Sequence, residues 1–264
     1  MSERLEGLGI HGGRRASARL YRDDGPLRFR LGGGELPADL AHVVDTERCT
    51  VLGADGVRLA VVEHLLAACH AAGYWSGLLI EVTGDELPIL DGSAAPWAAA
   101  LVGLGPPPQA PPPWVVDAAV RWREGTAEVD IEPGPPELDV SVAYDHPAIG
   151  RQRWRGTPGD YAALLTARTF GFAHELAALR DRGLAAGARP GSGILFADEG
   201  PATPLRSPDE PVRHKALDAV GDLALLGRPL AGRVRIHRGS HRAHVDAMRL
   251  LSSTRHPRRE AAAP

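Results

Sequence analysis

Gly105-Pro106-Pro107-Pro108-Gln109-Ala110-Pro111-Pro112-Pro113 decides how the rest of the chain is read. Proline fixes φ and lacks an N–H, so this run enters neither a helix interior nor a central strand and favours extended polyproline II. It divides the 264 residues into 1–104 and 114–255, with 105–113 as a linker. The segment 256–264 reads as a disordered tail.

Each side of the linker shows strand patterns followed by helix patterns. In the first half Arg15–Tyr21 and Leu27–Leu31 alternate, and Gly56–Val62 leads into a helix over Glu63–Ala72, stopped by Gly73. Leu78–Val82 is a strand. Asp91-Gly92-Ser93 forms a turn and N-cap before a helix over Ala94–Val102. In the second half Trp114–Trp122, Ala127–Ile131 and Leu138–Tyr144 read as strands. Short helices are expected over Tyr161–Thr166 and Glu175–Arg182, and the longest over Pro211–Leu226. Arg233–Arg238 is a strand and Ala243–Leu251 a last helix. Sheet-then-helix order on both sides predicts an α+β protein with helices layered on one face of each sheet. The likeness of the halves is one of order; no sequence repeat accompanies it.

Bulk properties narrow the function. Lys+Arg total 30 and Asp+Glu 33, a formal net charge of -3, so nothing points to nucleic acid. The apolar runs fall short of the roughly 18–20 residues that cross a bilayer, so no stable membrane insertion is expected. The start, Met1-Ser2-Glu3-Arg4, has no apolar signal region. The two cysteines, Cys49 and Cys69, lack metal-site spacing and point to a reducing cytoplasm. Cys69 and Trp97 read as core residues, and His42, His70 and His174 as surface residues.

The chemistry concentrates in two segments. In Arg213-His214-Lys215-Ala216-Leu217-Asp218-Ala219-Val220-Gly221-Asp222, the residues His214, Asp218 and Asp222 recur every fourth position and share one helix face. Spacing alone also fits a solvated polar stripe. Val61-Val62-Glu63-His64-Leu65-Leu66 sets an acid and a histidine at the mouth of an apolar helix, where a buried charge is costly unless used. Alone, Glu63 there would only complement the helix dipole. Together, His64, His214 and Asp218 make two histidines and a carboxylate, a catalytic zinc pattern that also describes the facial triad of ferrous oxygenases. Glu63 beside them favours hydrolysis, since a metal-activated water needs a base.

Further blocks appear in order: Gly7-Leu8-Gly9-Ile10-His11-Gly12-Gly13, Glu63-His64-Leu65-Leu66-Ala67-Ala68, Leu87-Pro88-Ile89-Leu90-Asp91-Gly92-Ser93, Asp145-His146-Pro147, Ala167-Arg168-Thr169-Phe170-Gly171-Phe172 and the 212–223 segment. This series resembles the UDP-3-O-acyl-N-acetylglucosamine deacetylase family of lipid A synthesis. The resemblance implies two β-α-α-β layered sandwich domains packed through their helices, with the active site at their interface. It implies zinc, with ferrous iron as the alternative, on His64, His214 and Asp218. Glu63 becomes the general base, His241 the acid that faces the oxyanion, Asp222 its partner, and Thr169 a group that polarises the scissile carbonyl. Phe170 and Lys215 become substrate contacts, and 171–200 an insert forming an acyl passage. The partner implied is an acylated UDP-amino sugar, taken up by a monomer.

Two departures from that pattern stand in the sequence. Gly239-Ser240-His241-Arg242-Ala243-His244 has His244 where asparagine is expected, leaving His241 and His244 both open as the acid. Gly187-Ala188-Arg189-Pro190-Gly191-Ser192-Gly193 replaces a Gly-Gly-Ser-x-x-Asn run in the insert, leaving acyl length open. A deacetylase of another acetylated sugar nucleotide, and a non-catalytic metal-binding regulator on the same scaffold, are the alternatives.

Overall fold

The computed structural model describes residue 2 and residues 4–254. The tail expected at 256–264 lies outside the described residues. The first half runs β1 (Leu5–Leu8), β2 (Arg15–Pro26), β3 (Arg28–Leu31), β4 (Gly34–Pro37), then a small sheet of β5 (Val43–Asp45), β6 (Val51–Ala54) and β7 (Val57–Ala60). α1 (Glu63–Ala72), β8 (Ser76–Thr83) and α2 (Ala95–Val102) complete it. The second half runs β9 (Trp114–Val115), β10 (Val120–Glu124), β11 (Ala127–Glu132), β12 (Glu137–Ala143) and β13 (Arg151–Gly156). A second small sheet follows, of β14 (Phe170–Phe172), β15 (Ile194–Ala197) and β16 (Gly200–Pro201), with α3 (Leu176–Asp181) between its first two strands. The chain ends in α4 (Glu210–Leu223), β17 (Leu230–Ala231), β18 (Arg233–His237) and α5 (His241–Thr254).

The expected α+β class is what the chain adopts, and the likeness of the halves goes beyond order. The five-stranded sheets run β1-β2-β8-β3-β4 and β10-β11-β18-β12-β13. In each, the last strand in sequence inserts at the centre and lies parallel to the third, while every other pairing is antiparallel. In each half a small sheet immediately precedes the helix, α1 or α4, that leads to the central strand.

Alternation decides which face of the second sheet is buried. Val129, Ile131, Leu138, Val140, Val234 and Ile236 point inward, where α4 packs on β12 and β13 and α5 on β10 and β11. The opposite positions carry charge of alternating sign from strand to strand. One cross-strand row reads Arg121, Asp130, Arg235, Asp139, Arg155. That polar face keeps one side of the sheet in water.

Three expectations are corrected. Trp114–Trp122 is not one strand: β9 pairs with β17, held by Trp114 N–H on the Pro229 carbonyl (2.7 Å), and only from Val120 does the chain join the large sheet. The Tyr161–Thr166 helix is instead a 3₁₀ turn over Pro158–Leu164, fixed by a Thr157–Asp160 capping box. His70 is not a surface residue. It is half-buried, its Nδ1 donates to the Val220 carbonyl (3.0 Å), and its ring meets Trp75 and Tyr161 edge-on. Cys69 and Trp97 are core residues, as expected. Among the described residues no helix is long and apolar enough to cross a membrane.

A single apolar cluster runs through both halves. In it α1 packs on α4, and Ala67, Ala68, Ala216 and Ala219 on the two helices are fully buried. The approach is tight at Gly221, where an added Cβ would stand 2.1 Å from the Glu63 carbonyl oxygen. Glycine inside a helix costs about 1 kcal/mol relative to alanine, so its place here reflects the neighbour rather than the helix. Gly221→Ala is therefore expected to lower unfolding free energy by about 1–3 kcal/mol, the usual effect of overpacking, measured by urea denaturation; a stabilised variant would refute the close crossing.

The same helix pair carries a pH dependence. Burial pushes the His70 imidazole down to about 4, against the pull of the Val220 carbonyl. The folded value lies below the ordinary one of 6.5, so its contribution is complete above 6.5 and is lost as pH falls toward 4. Between those limits the wild type should lose stability more steeply than His70→Gln, followed by denaturation midpoints at several pH values. Equal slopes would exclude His70 as the cause.

Candidate metal centre

Val61 turns the chain from β7 into α1. It has φ of 63° although it is β-branched and buried, a conformation that costs on the order of 1–3 kcal/mol. Its side chain is held in a small cluster with Cys49, Val51 and Ile89. The turn delivers Glu63 and His64 as the first two residues of α1, which packs against α4.

There the expected triad comes together. His64 Nε2 lies 3.9 Å and His214 Nε2 3.3 Å from Asp218 Oδ1, and the two imidazoles meet edge-on at 5.2 Å. All three residues are buried. The other Asp218 oxygen accepts from Lys215 Nζ at 2.7 Å. Burial keeps both histidines neutral, His214 down to about 3. Burial alone would raise Asp218, but His214, Lys215 and His241 around it hold the carboxyl well below the usual range. Two neutral imidazoles and one carboxylate are the protonation states a divalent cation requires. Donors about 2.0–2.1 Å from one tetrahedral ion stand about 3.3–3.4 Å apart; the His214–Asp218 spacing of 3.3 Å matches that value, and the His64–Asp218 spacing of 3.9 Å is wider.

Asp222, His241 and His244 form a second close group, but hydrogen bonds account for it. Both histidines direct Nδ1 at Asp222 Oδ2, at 2.9 and 2.8 Å, and Thr50 Oγ1 donates to Asp222 Oδ1 at 2.5 Å. The carboxylate is already enclosed by donors. His241 begins α5, two residues earlier than the sequence suggested. A helix N-terminus disfavours a cation, and burial opposes one too. The carboxylates of Asp222, Glu63 and Asp218 outweigh both and lift His241 to about 9. Asp222 itself, against its burial, is held down to about 2 by His241 and His244.

Glu63 Oε1 lies 3.9 Å from His241 Nε2, and both residues line the same cavity as the triad. Its Oε2 accepts from the Thr50 amide at 3.0 Å. Burial is the main cause raising Glu63 to about 7, with Asp218 and Asp222 adding to it against His241. A cavity of about 430 Å³ opens here, lined by Glu63, His64, Thr169, Phe170, Lys215 and His241 among others. The Phe170 ring stands edge-on to His214 at 6.0 Å. All nine residues singled out from the sequence thus lie in or directly behind one site. His244 does not line this cavity. Its Nδ1 sits where an asparagine amide nitrogen would also reach Asp222.

Sequence reasoning missed Thr50, which ties Glu63 to Asp222, and a lone threonine before a strand gives no signal of that. It also missed Tyr144, Arg48 and Glu175 on the cavity wall. Behind Thr169 and Phe170 a second space of about 430 Å³ shares that wall and continues between apolar side chains, including Ile10, Val61, Ile89, Leu176, Leu179 and Ile194. One of its edges is a backbone seam, Ala186 N–H on the His11 carbonyl and Gly187 N–H on that of Ile10. Its lining also includes the Arg48–Glu175 ion pair.

Residues 2–253 match the family model described as UDP-3-O-acyl N-acetylglycosamine deacetylase. Three proteins named UDP-3-O-acyl-N-acetylglucosamine deacetylase show how much of the chain is shared. That of Thermosynechococcus vestitus is 40% identical over 261 residues, covering 94% of this chain and 91% of its own length. That of Syntrophotalea carbinolica is 36% identical over 251 residues, covering 90% and 81%. That of Brucella melitensis biotype 2 is 38% identical over 271 residues, covering 94% and 92%.

The two histidine groups are separable by experiment. His64→Ala, His214→Ala and Asp218→Ala should each abolish retention of one equivalent of divalent metal after dialysis, while His244→Ala should keep it, as read by elemental analysis. Loss of metal from His244→Ala with retention in His214→Ala would move the site to the other group.

Proposed function

Because the chain belongs to the UDP-3-O-acyl N-acetylglycosamine deacetylase family, we propose that it hydrolyses the N-acetyl group of UDP-3-O-acyl-N-acetylglucosamine, releasing acetate, in lipid A biosynthesis. The observation that supports this reading is that Glu63 and His241, 3.9 Å apart, line the same cavity as His64, His214 and Asp218. His64, His214 and Asp218 hold zinc, with ferrous iron the alternative. When bound, the ion supplies a Lewis acid that polarises a carbonyl and acidifies water.

The remaining work falls to the chain's own side chains. Glu63 takes the proton of the attacking water through the oxygen that Thr50 leaves free. A base raised to about 7 is ionised near neutral pH yet still basic enough to act. His241, charged through Asp222, presents Nε2–H to the oxygen where negative charge develops, where a fixed cation acts most strongly. It then gives that proton to the departing amine. Thr169 polarises the scissile carbonyl from the cavity wall. Lys215 and Phe170 contact the sugar nucleotide, and Lys215 also holds Asp218 in its ligand orientation. The 3-O-acyl chain runs from this cavity into the apolar passage walled by the 171–200 insert. Base and acid must be deprotonated and protonated at once, so kcat/KM falls on both sides of a maximum pH.

The test is acetate release from the acylated sugar nucleotide, with zinc measured on the same sample. Glu63→Ala should keep zinc and lose about 10²–10⁴ of turnover, and His241→Ala at least about a hundredfold. Near-normal turnover by Glu63→Ala would end the base assignment. Turnover confined to a non-acylated acetamido sugar nucleotide would replace the substrate. Stoichiometric zinc without turnover of either would leave a metal-binding regulator.

A further inference from the structure

The mechanism above uses one of the two histidines that reach Asp222 and gives the other no task. His244 is 3% exposed, lies one turn after His241 on α5, and does not line the cavity where the substrate would sit. Space for its ring comes from Gly239: a Cβ there would lie 2.8 Å from His244 Nε2 and 2.3 Å from Ile236 Cγ2. A ring buried in a fitted slot, with its Nδ1 at 2.8 Å from a carboxylate oxygen, has one geometry available.

We propose that His244 is a positioning residue: by donating Nδ1–H to the same Asp222 oxygen that His241 uses, it locks the carboxylate and so holds the His241 ring with Nε2 aimed at the reacting amide. The inference rests on the deacetylase reading and deepens it. An aspartate carboxylate turns easily about its last torsion, which is broad and two-fold. At Asp222, Thr50 Oγ1 restrains Oδ1 alone, and a carboxylate restrained at one oxygen still rocks about that bond. His244 adds the restraint at Oδ2. His241 gains orientation from it because its own Nδ1 bonds that oxygen at 2.9 Å. Burial keeps His244 below the ordinary imidazole value, so Asp222 faces one cation and one neutral donor. A misplacement of about 1 Å costs on the order of a hundredfold in rate. With Thr50 still in place, losing one of the restraints should cost less.

The test compares His244→Leu, which fills the slot without a donor, with His244→Asn, whose amide nitrogen can take the place of Nδ1. In the zinc-loaded enzyme, His244→Leu should lower kcat about tenfold, the effect of one hydrogen bond to a charged group, with KM and zinc content unchanged. His244→Asn should recover kcat to within about threefold of wild type. The low-field proton resonance of His241 Nδ1–H should broaden or move upfield in His244→Leu and return in His244→Asn. An unchanged kcat and resonance in His244→Leu would overturn the proposal. Equal losses in both variants would assign the effect to ring shape instead of the donated bond. A loss as large as that of His241→Ala would make His244 a proton donor itself. The resonance is read without substrate, so it tests His244 even if the wild type releases no acetate and the deacetylase reading fails.

Discussion

Everything at the centre of this protein depends on how closely α1 and α4 cross. Short side chains on different helices converge on one point only if the helices pack closely, and Gly221 against the Glu63 carbonyl marks a tight approach between them. The crossing sets Glu63 and His64 beside His214 and Asp218 without a long side chain to span a gap. Short, rigid connections matter here because each free torsion between backbone and ligand loosens the site. Small residues on both helices, together with the strained Val61 turn, are the structural cost of that proximity.

The crossing also concentrates charge that water would otherwise solvate. Glu63, Asp218 and Asp222 are all buried within one small volume. Isolated, each would resist ionisation. Lys215 answers Asp218, His241 answers Asp222, and Thr50 gives a donor to both Glu63 and Asp222. Glu63 is the least compensated of the three and alone is pushed up. Position in the network therefore separates the carboxylates by charge state: Asp218 is held ionised beside Lys215, Asp222 beside His241, and Glu63 is raised to about 7.

Much of this was legible in the sequence, and the limits have physical causes. His214, Asp218 and Asp222 could be assigned to one face because helical spacing is a local property. That His64 joins them could not come from spacing, since a contact between residues 150 positions apart is made by tertiary packing. The strands missed, such as β1, β4 and β13, are short or rich in arginine, so their alternation is weak. The 3₁₀ turn at 158–164 and the split of Trp114–Trp122 were misread because a few residues carry either pattern equally well. Thr50 was invisible for a different reason: its partners are charged groups brought to it by other elements. His70 looked like a surface histidine because nothing local shows that α4 would cover it.

The repeated sheet order explains why the site is lopsided although the scaffold is nearly symmetric. Both halves place a small sheet just before the helix that feeds the central strand. In the first half that sheet is a bare three-strand ribbon whose exit, at Val61, sets Glu63 and His64 at the N-terminus of α1. In the second half the corresponding sheet carries α3 and a long excursion, and its entry strand sets Thr169 and Phe170 at the same cavity. The first small sheet thus reaches the cavity through its exit, and the second lines both cavities along its length. The same topology serves unequal ends here because the two small sheets differ in length and in the residues they bring to the cavity.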